Sequence, residues 1–75
     1  MSFTLDKAAP GQNLVINFLP SGVIKSQLIR FGLMEGESVR CLDRLFGGTV
    51  ILQKNRLEIA LGFDLAKSIT VTNEN

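Results

Sequence analysis

The sequence is most informative over residues 39–61, which read VRCLDRLFGGTVILQKNRLEIAL. In the middle, Gly47 and Gly48 supply the two permissive backbone positions that a tight type I′ or II′ hairpin turn needs. The segments on either side have the composition of short strands. This stretch therefore predicts a hairpin between a strand over residues 39–46 and a strand over residues 49–54.

A third strand is predicted over residues 56–61, after a second turn at Asn55. Leu57, Ile59 and Leu61 occupy alternate positions, which places them on one face of a strand. We therefore expect this strand to be half buried, with these side chains in the core.

The first strand of the hairpin contains two unusual features. Asp43 and Arg44 interrupt its apolar pattern and predict a bend or bulge. Cys41 lies between Val39 and Leu42, and an isolated cysteine in such a strand is most often a small buried hydrophobe.

Upstream of the hairpin, the spacing of the apolar residues changes from that of a strand to that of a helix. Residues 14–19 are an apolar run closed by a Pro-Ser-Gly breaker, and they predict a strand. Over residues 23–31, Ile24, Leu28 and Phe31 recur at helical spacing. We therefore expect one short amphipathic helix after the first long strand, with these three side chains buried.

This helix is predicted to end at Gly32, because glycine adopts the left-handed conformation that often terminates helices. Leu33 would then fold back onto the last turn, as in a Schellman motif. Arg30 would lie near the negative end of the helix.

One side chain of the helix is predicted to face away from the core. Ile29 lies about 100° from the buried stripe, beside Lys25. A patch that joins Ile29 with Leu33 and Met34 suits a partner surface. The residues assigned to partner binding are accordingly Lys25, Ile29, Leu33 and Met34.

The C-terminal part of the chain predicts one helical turn and one strand. Asp64 is expected to cap a turn that continues to residue 67. Residues 69–72 then form a last strand with Val71 directed inward. The polar tail over residues 73–75 is expected to fray.

The whole pattern predicts a mainly β fold of roughly five short strands, with one short α-helix after the first long strand and one helical turn before the last strand. Closure into a small barrel would protect the edges of such an apolar sheet. Residues 1–75 are expected to form a single domain, because a chain of this length is too short for two.

Composition excludes several classes of function. The eight basic and seven acidic side chains are scattered singly and Trp and Tyr are absent, so we expect no binding of nucleic acid. No apolar run approaches the ~20 residues that cross a bilayer, so a membrane role is expected only through a partner. A lone cysteine and an N terminus without a signal-peptide pattern point to the reducing cytoplasm.

We expect no catalytic residues, no cofactor and no metal ligands. Histidine is absent and Cys41 stands alone, so neither Cys–His nor Ser–His chemistry nor a structural zinc set is available. Glu35 and Glu37 would hold a divalent cation only weakly, and a solvated turn explains them better. The chain is therefore predicted not to be an enzyme.

The ordered set of motifs resembles the FeoA family of ferrous iron transport proteins, which are small cytoplasmic proteins with an SH3-like barrel. The resemblance covers nearly the whole chain. The segments that carry it are Leu5, Pro10-Gly11, residues 28–36 (LIRFGLMEG), 59–61, 65–66 and 69–71. Phe31 replaces the leucine usual in the family and is expected to remain a buried anchor. Glu35 replaces a usual proline and still permits a turn.

The resemblance implies an adaptor or regulator of bacterial ferrous iron uptake that binds the FeoB-type transporter, a membrane protein with a cytoplasmic GTP-binding domain. An alternative is a FeoA-like regulatory barrel associated with a metal-dependent transcriptional repressor system. An SH3 domain that grips proline-rich peptides is not expected, because that mode uses an aromatic-lined groove and the chain has no Trp or Tyr. The sequence does not fix an oligomeric state.

Overall fold

The computed structural model describes residues 1–74 and contains a single sheet of six antiparallel strands. In chain order its elements are β1 (Ser2–Thr4), a 3₁₀ turn (Leu5–Lys7), β2 (Asn13–Phe18), α1 (Val23–Arg30), β3 (Ser38–Arg44), β4 (Val50–Lys54), β5 (Leu57–Leu61), α2 (Phe63–Ala66) and β6 (Thr70–Asn73).

The sheet has the strand order β1-β6-β2-β3-β4-β5 and curls into a small barrel. Its principal extents are 27 × 27 × 26 Å, which is the shape of a curled sheet and not of a flat one. The mainly β barrel predicted from the sequence is thus confirmed. The sixth strand is β1, which is three residues long and pairs with β6.

The interior of the barrel is filled by apolar side chains from every strand except β1, together with α1 and α2. The buried residues are Leu5, Ala8, Leu14, Ile16, Leu19, Leu28, Leu33, Val39, Cys41, Val50, Leu52, Leu61, Ala66, Ile69 and Val71. They form one continuous cluster, and no polar side chain among the described residues is buried with them. Burial of this cluster is the main favourable contribution to folding.

The β3–β4 hairpin is confirmed, but its turn differs from the predicted Gly-Gly turn. The Gly48 N–H donates to the Leu45 carbonyl at 3.0 Å, so Phe46 and Gly47 are the central residues. Gly47 has φ 92°, the positive value that the third position of a type II turn requires. The bulge predicted near Asp43 is confirmed by a register shift in the pairing of β3 with β4.

The C-terminal end of α1 has the predicted Schellman motif. The Leu33 N–H donates to the Leu28 carbonyl at 3.0 Å, and the Gly32 N–H donates to the Ile29 carbonyl at 2.9 Å. Gly32 has φ 83°, and both leucines are buried. The chain therefore reverses direction at Gly32 and leads into the turn that starts β3.

Two side chains predicted to be buried are exposed. Phe31 is 49% exposed, because it is the C-cap residue of α1 and its φ of −90° and ψ of 5° take it off the helical pattern. Leu57 is 41% exposed, because it lies opposite Lys54 at the β4–β5 turn, on the last strand of the sheet. Ile59, on the same strand, is half buried against the core.

Two predictions near the C terminus are also wrong. Asp64 does not cap α2, since the N-cap residue is Gly62 and no side chain caps it. The tail is paired where it is described: β6 extends to Asn73, and the Glu74 N–H donates to the Asn13 carbonyl at 2.8 Å. Asn75 lies outside the described residues.

The two leucines at the ends of β5 make a matched test of the core. Leu61→Ala should lower the free energy of unfolding by about 2–5 kcal/mol, because Leu61 is 5% exposed and its removal leaves a cavity. Leu57→Ala should cost less than about 1 kcal/mol, because its side chain already meets water. Urea unfolding at low protein concentration measures both, and equal losses would contradict this placement of β5.

Candidate docking surface

The C-terminal end of α1 and the turn after it form an exposed corner. We call Lys25, Ile29, Met34 and Glu35 the α1 corner. Ile29 is 42% exposed and Met34 is 41% exposed, whereas Leu28 and Leu33 beneath them are buried. The corner thus presents two apolar side chains beside a basic and an acidic group.

Glu35 connects three elements at this corner. Its Oε2 accepts a hydrogen bond from the Leu19 backbone N–H at 3.0 Å, and its Oε1 lies 3.6 Å from Lys25 Nζ. Glu35 therefore links the turn to the end of β2 and to α1. Because the Lys25–Glu35 pair is partly exposed, we expect it to fix geometry more than to add stability.

The turn that carries Glu35 is held at both ends. The Glu37 N–H donates to the Met34 carbonyl at 3.0 Å, and Gly36 has the φ of 92° that a type II turn needs. Glu37 then pairs with Lys54, with Nζ to Oε1 at 2.7 Å, which ties the turn to β4. Hydrogen bonds and an ion pair therefore hold the turn of the α1 corner in place.

The structure keeps three of the four residues assigned to partner binding at the surface. Lys25 is half-buried, and Ile29 is exposed as its helical phase predicts. Leu33 is only 1% exposed, because the Schellman motif turns its side chain onto the core. It is therefore not part of the candidate surface. Phe31 is an exposed apolar neighbour that the helical pattern did not indicate.

A second exposed apolar cluster lies at the β3–β4 hairpin. We call Leu45, Phe46 and Phe63 the hairpin tip. Phe46, the first central residue of the turn, is fully exposed, and the other two are 45% and 44% exposed. The sequence pattern placed Phe46 at the end of a predicted strand, so it did not indicate an exposed apolar cluster at this turn.

Contacts from both sides hold the hairpin tip in place. The Phe63 ring packs on Gly48, and a Cβ built at Gly48 would lie 2.6 Å from Phe63 Cδ1. Lys67 Nζ lies 5.4 Å from the centroid of the same ring, within range for a cation–π contact. At the base of the hairpin, Arg44 Nη1 donates to the Asp6 carbonyl at 3.1 Å.

The side chains that the sequence offered as possible metal ligands make other contacts in the structure. Glu35 and Glu37 each face a lysine, and residues 1–74 contain no group of three or more Cys, Asp or Glu side chains placed to hold a metal ion. Cys41 is buried, and burial raises the pKa of its thiol, which lowers the thiolate fraction. In the described part of the chain, neither helix is long and apolar enough to cross a bilayer.

A sequence model described as the FeoA domain matches residues 3–73. Comparison with curated protein sequences finds no match. Solved structures share the fold, which is therefore an SH3-like barrel as the sequence resemblance implied.

Three solved structures illustrate the similarity. The iron uptake regulatory protein FeoA is 24% identical, with a TM-score of 0.84, over 99% of this chain and 100% of that one. The FeoA protein from Chlorobium tepidum is 17% identical, with a TM-score of 0.86, over 97% of this chain and 71% of that one. ScaR with bound Cd²⁺ is 25% identical, with a TM-score of 0.80, over 92% of this chain and 34% of that one. This chain thus corresponds to about a third of ScaR.

Two adjacent glycines test how the hairpin tip is held. Gly47→Ala should cost about 1–2 kcal/mol, because alanine is strained at positive φ although the space around it is open. Gly48→Ala meets the same strain and also the Phe63 ring, which should add about 1–3 kcal/mol. Urea unfolding compares the two variants, and losses of the same size would show that Phe63 does not pack on Gly48.

Proposed function

Since this chain belongs to the FeoA family, whose members are small proteins related to ferrous iron transport, we propose that it is a cytoplasmic adaptor that binds the FeoB-type transporter. In this proposal the barrel is a rigid platform and the α1 corner is the surface that meets the transporter's cytoplasmic part. The chain itself performs no chemistry on iron.

The observation that carries the proposal is the composition of the α1 corner. Ile29 and Met34 are large apolar side chains that the core does not need, since Leu28 and Leu33 already fill it from the same segment. The Lys25–Glu35 pair lies beside them. Protein interfaces commonly have an apolar centre and a polar rim. In the α1 corner the two apolar side chains correspond to the centre, and the Lys25–Glu35 pair corresponds to the rim.

The rigidity of the corner also favours binding. Glu35 is held by the Leu19 N–H, and the turn from Met34 to Glu37 is closed by its own hydrogen bond. A surface that is already ordered loses less conformational entropy when it binds. A partner therefore gains the apolar contact without first having to fix the loop.

The test is co-purification of the tagged chain with the FeoB-type transporter of the same cells. Ile29→Asp places a charge in the centre of the proposed contact and should lower recovery of the transporter at least roughly tenfold, as expected for a central interface residue. Because Ile29 is already 42% exposed, the variant should fold normally, which circular dichroism checks.

Val23→Asp is the matched control, because Val23 is on α1, is 76% exposed and points away from Lys25 and Ile29. It should leave recovery unchanged. Phe46→Asp asks whether the hairpin tip is the contact instead. Loss of recovery with Phe46→Asp but not Ile29→Asp would move the interface, and no recovery of the transporter by the original chain would end the adaptor proposal.

A second candidate function follows from the match to part of ScaR, a protein solved with Cd²⁺ and with Zn²⁺ bound. The barrel would then serve as a regulatory module alongside a metal-dependent transcriptional repressor. Crosslinking in iron-limited cells separates the two candidates. A DNA-binding regulator as the specific partner would favour the second, and the transporter would favour the first.

A further inference from the structure

Three strands of the sheet present a row of polar side chains on its outer face. Arg40 on β3 lies directly opposite Gln53 on β4, and Gln53 lies directly opposite Glu58 on β5. Residues that oppose each other on neighbouring strands direct their side chains to the same side of the sheet. Because the adjacent residues Cys41 and Leu52 are buried, this row points away from the core.

A second row on the same face is apolar at its centre. Ile51 on β4 lies opposite Ala60 on β5 and opposite Asp43 on β3, where Leu42 is the extra residue of the bulge. Ala60 is exposed, and Leu42 and Ile51 are half-buried. The outer face therefore offers a narrow apolar strip beside the polar row.

The charges of the polar row are not neutralised by ion pairs within residues 1–74. Arg40 and Glu58 are both exposed, and neither belongs to an ion pair in this part of the chain. Gln53 separates their backbones by two strand spacings, which is about 10 Å. The face thus has one positive side and one negative side, with β4 between them.

This charge pattern makes the face complementary to itself. If two copies pack face to face about a two-fold axis along β4, then β3 of each copy lies over β5 of the other. Arg40 of each copy then meets Glu58 of the other, while Gln53 and Ile51 meet their own counterparts at the axis. Stacked sheets lie about 10 Å apart, a gap that extended arginine and glutamate side chains span together.

The charges also select this axis over the alternative one. A two-fold axis that runs across the strands would stack each strand on itself, so Arg40 would lie over Arg40 and Glu58 over Glu58. Like charges that face each other directly are destabilising, as they are within a sheet. Of these two ways of stacking the face on itself, only the axis along β4 pairs both charges with opposite ones.

We propose that two copies of this chain associate face to face through the outer surface of β3, β4 and β5, with Arg40 and Glu58 paired reciprocally across the axis. The contact is isologous and closes at two copies. Because the sheet curls into a barrel, only the centre of the face touches, so the dimer is weak and concentration-dependent. The α1 corner takes no part in these contacts, so the proposal does not rest on binding of the transporter.

Sedimentation velocity of the full chain, from ~10 µM to ~1 mM at low salt, tests the dimer. The original chain should sediment faster as its concentration rises. Arg40→Glu and Glu58→Arg should each weaken self-association about tenfold, because each variant turns two attractive contacts into repulsive ones. The double exchange, Arg40→Glu with Glu58→Arg, should restore it. Both sites are exposed, so the variants should fold normally, which circular dichroism checks.

Mixing the two single variants is the most specific measurement. Arg40→Glu gives an acidic face and Glu58→Arg gives a basic one, so the equimolar mixture should dimerise more strongly than either variant alone. Arg30→Glu is the matched control: it makes the same change in net charge at an exposed site on α1 and should dimerise like the original. Monomer at ~1 mM, or single variants that dimerise like the original, would overturn the proposal.

Discussion

The rest of the structure depends on the reversal of the chain at the end of α1. Gly32 adopts a left-handed conformation, so the Leu33 N–H reaches the Leu28 carbonyl and both leucines enter the core. This reversal delivers the chain to the turn that begins β3, and β3 connects the β2–β6 half of the sheet to the β4–β5 half. The same reversal leaves Ile29 and Met34 at the surface, so the surface that we propose for binding is a consequence of how the core is completed.

The molecule presents its two apolar clusters near opposite ends of β4. The turn after α1 is tied to Lys54, the last residue of β4, whereas the hairpin tip precedes Val50, its first residue. Each cluster is carried by a turn closed by its own hydrogen bond and held by a neighbouring side chain, Glu35 at one and Phe63 at the other. A rigid barrel with fixed surface groups is suited to docking, since little order has to be created on contact.

Much of the fold was predictable because its signals are local. Gly32 indicates where the helix ends, and Asp43 indicates where the bulge in β3 lies. Phe31 and Leu57 were misplaced because both lie where a regular element ends, so periodicity no longer fixes their direction. β1 was missed because it pairs with β6, at the far end of the chain. Leu33 could have been removed from the candidate surface by sequence alone, because the residue after a Schellman glycine packs back onto the helix.

Amide chemical-shift mapping shows whether the α1 corner is the surface that contacts the transporter. Adding the transporter's cytoplasmic domain to the ¹⁵N-labelled chain should perturb the amide signals of Lys25, Ile29 and Met34. Signals from Thr49 and Val50, at the other end of β4, should stay unchanged. Perturbations confined to the hairpin tip, or an unchanged spectrum at a saturating concentration of the domain, would show that the α1 corner does not bind the transporter.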